Sequence, residues 1–116
     1  MLTSPTFDYI KDQVVITNTD GIILYVNEAL EETTGYKKVE VIGKKPSLWG
    51  GLMPKSFYEL MWKKLRNEKK AIRVLITNKR KDGKMYDALL RISPILDTQG
   101  DVQMYVGIET VLSETE

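Results

Sequence analysis

The sequence predicts a single α+β domain, and three observations carry that prediction. Two β-type segments open the chain around an Asp-Gly turn, one long amphipathic helix lies near its middle, and three further β-type segments close it. The first β-type segment is Val14-Val15-Ile16-Thr17-Asn18, a run of β-branched residues suited to a pleated, buried strand. Asp20-Gly21 supplies the positive φ of a hairpin turn, and residues 22–26 return as a second strand. Upstream, Phe7, Tyr9, Ile10 and Gln13 have loosely helical spacing.

Asn27 stands where a helix N-cap is needed, its side chain able to accept an orphan backbone N–H. Gly35 ends that short helix, and residues 38–42 form another short turn, ended by Gly43. Pro54 suits a helix start, because its missing N–H costs nothing there. Phe57, Leu60, Met61, Lys64 and Leu65 follow at spacings of three and four, which predicts a helix over 55–68. Ile72, Val74 and Ile76 then alternate with more exposed types. Tyr86, Ala88, Leu90 and Ile92 do the same after the Asp82-Gly83 turn, and Val102, Met104, Val106 and Ile108 share a face.

Composition removes whole classes of chemistry. The 116 residues are 42% hydrophobic and 28% charged, a globular balance of one domain's length. Seventeen basic and sixteen acidic side chains leave a net charge of +1, which argues against nucleic acid as a partner. There is no cysteine, hence no disulfide, thiolate metal site or thiol nucleophile, and no histidine, the commonest general base and haem ligand. Ser93 has no histidine to activate it, and Asp20, Asp82 and Asp101 sit in or near glycine turns. The expectation is therefore a non-catalytic module without a metal site. No apolar run approaches the length of a membrane span and no secretion signal opens the chain, so a cytoplasmic location is expected.

Several strings resemble the PAS domain family: residues 15–29 (Val15 to Ala29), Thr34-Gly35-Tyr36 with Val41-Ile42-Gly43, Asn78 to Gly83, Ile92-Ser93-Pro94-Ile95, and Tyr105-Val106-Gly107-Ile108. The resemblance covers about residues 10–112. It implies a five-stranded antiparallel sheet of order 2-1-5-4-3, with short helices and one longer helix over one face. It also implies a sensory role in signal transduction, as part of a sensor histidine kinase or similar two-component protein, with a covalently linked effector and a homodimeric assembly.

The resemblance further implies a ligand between sheet and helices, and the residues narrow its identity. Absence of histidine argues against haem. Pro46 stands near the position of the cysteine that adds to flavin in the blue-light subtype, so that photochemistry is excluded. Flavin without the cysteine stays open, as does a ligand-free interaction module. Asn78 matches a flavin-contacting asparagine of related domains, but a second such asparagine is replaced by Ala88 and a glutamine of the last strand by Glu109. The candidate pocket is Asn78, Trp49, Tyr58, Trp62, Ile76, Ala88, Leu90 and Ile92. For Asn78 the competing expectation, and the preferred one, is a bond to neighbouring backbone at the strand end. For Trp62 it is core packing, and for Lys79-Arg80-Lys81 a solvated hairpin tip.

Overall fold

The computed structural model describes residues 10–115. Residues 7–9 of the loosely helical stretch expected at 7–13 lie outside them; residues 10–12 form no helix, and Gln13 begins a strand. Strands β1 (Gln13–Thr17) and β2 (Ile23–Val26) form the expected hairpin. Helices α1 (Glu28–Thr34) and α2 (Lys38–Val41), a 3-10 turn (Pro46–Leu48) and helix α3 (Lys55–Arg66) follow. The chain closes with β3 (Ile72–Lys79), β4 (Met85–Leu96) and β5 (Val102–Thr115). All pairings are antiparallel and the strand order is β2-β1-β5-β4-β3, the order the resemblance implied.

Local chemistry sets the element ends. Asn27, fully buried, follows β2 and caps α1: its Oδ1 accepts from Leu30 N at 3.3 Å and from Val14 N at 2.9 Å. Its Nδ2 donates to the carbonyls of Asp12, at 2.8 Å, and Ile10, at 3.3 Å. One carboxamide thus ties the helix start to the head of β1. Asn27→Ala is expected to destabilise the domain by about 2 kcal/mol, since a cap is lost and a buried Val14 N–H is orphaned. Asn27→Asp, which keeps the acceptor and loses the donors, should recover part of that. Urea unfolding measures both, and an alanine variant as stable as wild type would refute the role. Gly35 ends α1 at φ 81°, a left-handed conformation in which its N–H reaches the Glu31 carbonyl at 2.9 Å.

The β3–β4 turn is docked through its backbone and Arg80, which corrects the solvated-tip expectation for Lys79-Arg80-Lys81 in part: the Lys79 and Lys81 side chains stay exposed. Lys79 N donates to the Trp49 carbonyl and Lys81 N to the Thr34 carbonyl, each at 2.8 Å. The Arg80 guanidinium bonds the Thr33 carbonyl and lies 5.1 Å from the Tyr86 ring centroid, and Lys81 pairs with Glu40. Open helix carbonyls draw the cations in.

Three apolar clusters cover the sheet. Val15, Ile23, Val26, Leu30, Val41 and Trp49 form one. Met61, Leu65, Ile92 and Tyr105 form the second, beneath α3. Ile76, Tyr86 and Ala88 form the third. The clusters stay separate because a cavity occupies the place where they would meet: it takes Val15 and Trp49 from the first, Met61, Ile92 and Tyr105 from the second and Ile76 from the third.

β5 departs from the apolar pattern read in the sequence. Met104, Val106 and Ile108 do share a face, but the cavity face carries Tyr105, Gly107 and Glu109. The register against β4 slips by one residue, Ile95 opposite Met104 and Leu96 opposite Val102. That bulge returns Val102 to the α3 side, where it packs on the second cluster.

Candidate functional site

The cavity, of about 330 Å³, lies between the sheet and the segment from the 3-10 turn to α3. Its floor follows from strand register. Gln13 of β1 stands opposite Glu109 of β5, which stands opposite Leu90 of β4. In the next row Val15 flanks Gly107, with Ile92 beyond it. A glycine at the centre of that row leaves a hollow where other residues would place a side chain. A Cβ there would sit in ordinary van der Waals contact with Leu90 Cδ1 at 3.7 Å, Val15 O at 3.8 Å and Ile92 Cγ1 at 3.9 Å, so it would fit without a clash and narrow the cavity floor.

Walls come from the helical segment. Trp49 is buried, its ring 6.5 Å from that of Tyr36. Tyr58 and Trp62, on α3, are half-buried. The Tyr58 hydroxyl accepts from Met53 N at 3.1 Å, fixing the loop to the helix. Trp62 meets Tyr105 edge-on at 5.2 Å, and Arg66 lies 4.8 Å from its ring centroid. The charged members of the lining, Asp20, Lys45 and Arg66, are exposed and mark the solvent side.

The inner end is polar and buried. Asn78 Nδ2 donates to Glu109 Oε1 at 2.9 Å and lies 3.5 Å from the Tyr86 hydroxyl. All three residues are buried. Asn78 therefore bonds a side chain two strands away, not the neighbouring backbone that was preferred for it. Burial pushes the Glu109 carboxyl up to about 7, against the opposing pull of Trp49, Asn78 and Tyr86. Burial, then the Glu109 charge, pushes the Tyr86 phenol up to about 12. Beside them Gln13 is 1% exposed; its carboxamide lies by the Tyr86 hydroxyl, and neither its Nε2 nor its Oε1 makes a hydrogen bond of full geometry. Leaving a buried carboxamide unpaired costs on the order of 1–3 kcal/mol per group.

Of the residues singled out from the sequence, Asn78, Trp49, Tyr58, Trp62, Ile76, Leu90 and Ile92 line the cavity together. Ala88 stands outside the lining: paired with Ile76, it is packed between Ile76 and Tyr86 in the third cluster. Gln13, Glu109, Gly107, Met61 and Tyr105 complete the site and were not among those candidates. Alternation from Tyr105 through Gly107 to Glu109 was the available signal for β5, masked by apolar residues on its other face. Among the described residues no group of histidine, cysteine, aspartate and glutamate side chains could hold a metal ion. None of their helices is long and apolar enough to cross a membrane.

A sheet of this order with a ligand-sized cavity beneath its helices defines a sensor-type module. The profile of the PAS domain family matches residues 11–112, and the chain belongs to that family. It is 28% identical over 101 residues to a nitrogen fixation regulatory protein of Klebsiella oxytoca, covering 86% of this chain and 20% of that protein. It is 31% identical over 109 residues to the protein TWIN LOV 1 of Arabidopsis thaliana, covering 90% and 27%. The chain thus spans between a fifth and just over a quarter of these relatives. Among solved structures, the LOV domain of a blue-light activated histidine kinase from Erythrobacter litoralis superposes with a TM-score of 0.79 at 25% identity. That match covers 90% of this chain and 98% of the other.

Proposed function

We propose that this PAS domain is a sensory module whose cavity binds a planar heterocycle with a hydrogen-bonding edge, a flavin being the ligand class the residues fit best. One observation carries the reading: the unpartnered Gln13 carboxamide, buried beside Asn78 and Glu109 at the end of an otherwise apolar cavity. An amide offers a donor and an acceptor together, which is what the edge of a heteroaromatic ring system requires. Val15, Ile76, Leu90, Ile92 and Met61 supply apolar surface for its faces, and Gly107, without a side chain, lets it approach the floor of the cavity. The LOV domain relatives support the same class of ligand.

A bound flavin would supply light absorption and redox chemistry. The chain's own part is to orient the ring edge through Gln13, Asn78 and Glu109 and to keep water from it. With no cysteine in the sequence, no thiol of this chain can add to the ring. The signal would pass along β5, which carries Glu109, in the manner of a population shift between two packings of the sheet face. The effector that receives it would lie elsewhere in a longer protein, such as a histidine kinase.

An absorption spectrum of the purified domain, with and without added flavin, tests this reading. Flavin bands that co-elute with the protein are expected. Gly107→Leu should abolish them while leaving the far-UV circular dichroism unchanged, because its side chain fills the hollow. A folded wild-type domain that binds no flavin in titration would remove the reading. An open cavity also favours a ligand over an interaction module packed shut.

A further inference from the structure

Glu109 carries an inference that deepens the ligand reading. Its surroundings are neutral on every side. Gln13 faces it from β1, Leu90 and Tyr86 from β4, Asn78 from β3 and Trp49 from the loop after the 3-10 turn. Tyr58, Met61 and Trp62 are what α3 contributes to the same cavity. Arg80 lies over the Tyr86 ring, Lys45 and Arg66 are at the solvent side with Asp20, and among the described residues no cation acts on the Glu109 carboxyl. A carboxyl buried without a cation keeps its proton.

Resting on the heterocycle reading, we propose that Glu109 is the specificity-determining residue of the cavity. Its carboxyl O–H donates to an acceptor on an uncharged ligand edge, and it turns away ligands that bring negative charge to that end. Asn78 orients the group by occupying Oε1, and Gln13 supplies the second contact to the same edge. A glutamine in this place would offer a fixed donor. A carboxylic acid offers one only while protonated, so ligand occupancy becomes coupled to pH around neutrality.

The probe is riboflavin, whose ring is uncharged across this range, titrated by fluorescence quenching into wild type and E109Q. For wild type the Kd should weaken about tenfold between pH 6 and pH 8, as one proton must be restored for binding. For E109Q it should stay flat. A wild-type Kd that is independent of pH, or that tightens as pH rises, overturns the proposal. In parallel, carboxyl NMR of the ligand-free domain with 13C-labelled glutamate, assigned by E109Q, follows the proton directly. A Glu109 midpoint near 7 supports the proposal, and one in the ordinary carboxylate range overturns it whatever riboflavin does. Failure of riboflavin to bind at either pH counts against the flavin reading alone, and the carboxyl titration then decides the role of Glu109.

Discussion

Trp49→Ala is expected to destabilise the domain by about 3–5 kcal/mol, the range for truncating a buried aromatic side chain. Trp49 is 2% exposed and packs among Val15, Ile23, Val26, Leu30 and Val41. It also separates that cluster from the ligand cavity. Removing the indole would merge its own volume with the adjoining cavity of about 330 Å³, and neighbours held by the sheet cannot collapse to fill it. A loss of this size is a large fraction of the stability of a small domain. The Lys79 N–H bond to the Trp49 carbonyl survives the substitution, so the effect reports on the side chain: its packing and its hydrogen bond to the Glu109 carboxyl. Trp49→Phe, which keeps most of the apolar area, should lose about half as much. Urea unfolding checks the pair. A cost for alanine below about 1 kcal/mol would show that the ring is not the wall described.

The second large effect is an increase in stability. Glu109 titrates near 7 in the folded domain, against 4.5 for an ordinary glutamate. The folded state therefore binds the proton more tightly than the unfolded state does. Stability contributed by the protonated acid is fully present below about pH 4.5, falls as pH rises from there to about 7, and levels off above it. The full difference is on the order of 3 kcal/mol. Glu109→Gln has the same shape, keeps an acceptor for Asn78 Nδ2 and has no charge to bury. It should match wild type near pH 4.5 and exceed it by about 3 kcal/mol at pH 8. Urea midpoints at the two pH values test this. A variant no more stable than wild type at pH 8 would mean that the carboxylate is not buried as described.

Much of the fold was legible because its signals are local. The hairpin at Asp20-Gly21, the cap at Asn27, the stop at Gly35 and the spacing of α3 each depend on residues a few positions apart. The site was less legible. Asn78, Ile76, Leu90 and Ile92 were marked by strand alternation, and Trp49, Tyr58 and Trp62 by aromatic type. Gln13 was read as the end of a helical stretch because a polar residue before a β-branched run gives no sign of burial. Glu109 was noted only as a replacement, and the face carrying it was masked by Met104, Val106 and Ile108. Ala88 was placed in the pocket by the same parity as Ile76 and Leu90; it does share their face, but its short side chain is covered by Ile76 and Tyr86 in the third cluster.

By itself, the sequence determined the order of elements, the PAS resemblance and the exclusion of cysteine and histidine chemistry. Those rest on residue identity and short-range spacing, which need no coordinates. Tertiary structure alone decided that Gln13, Asn78 and Glu109 meet. They come from three strands, β1, β3 and β5, separated in sequence by 65 and 31 positions (78 − 13 and 109 − 78). Their burial, the unpaired amide and the raised carboxyl are properties of the enclosed space they share. No one of the three strands specifies that space, because it exists only where the sheet, the 3-10 turn and α3 close around it.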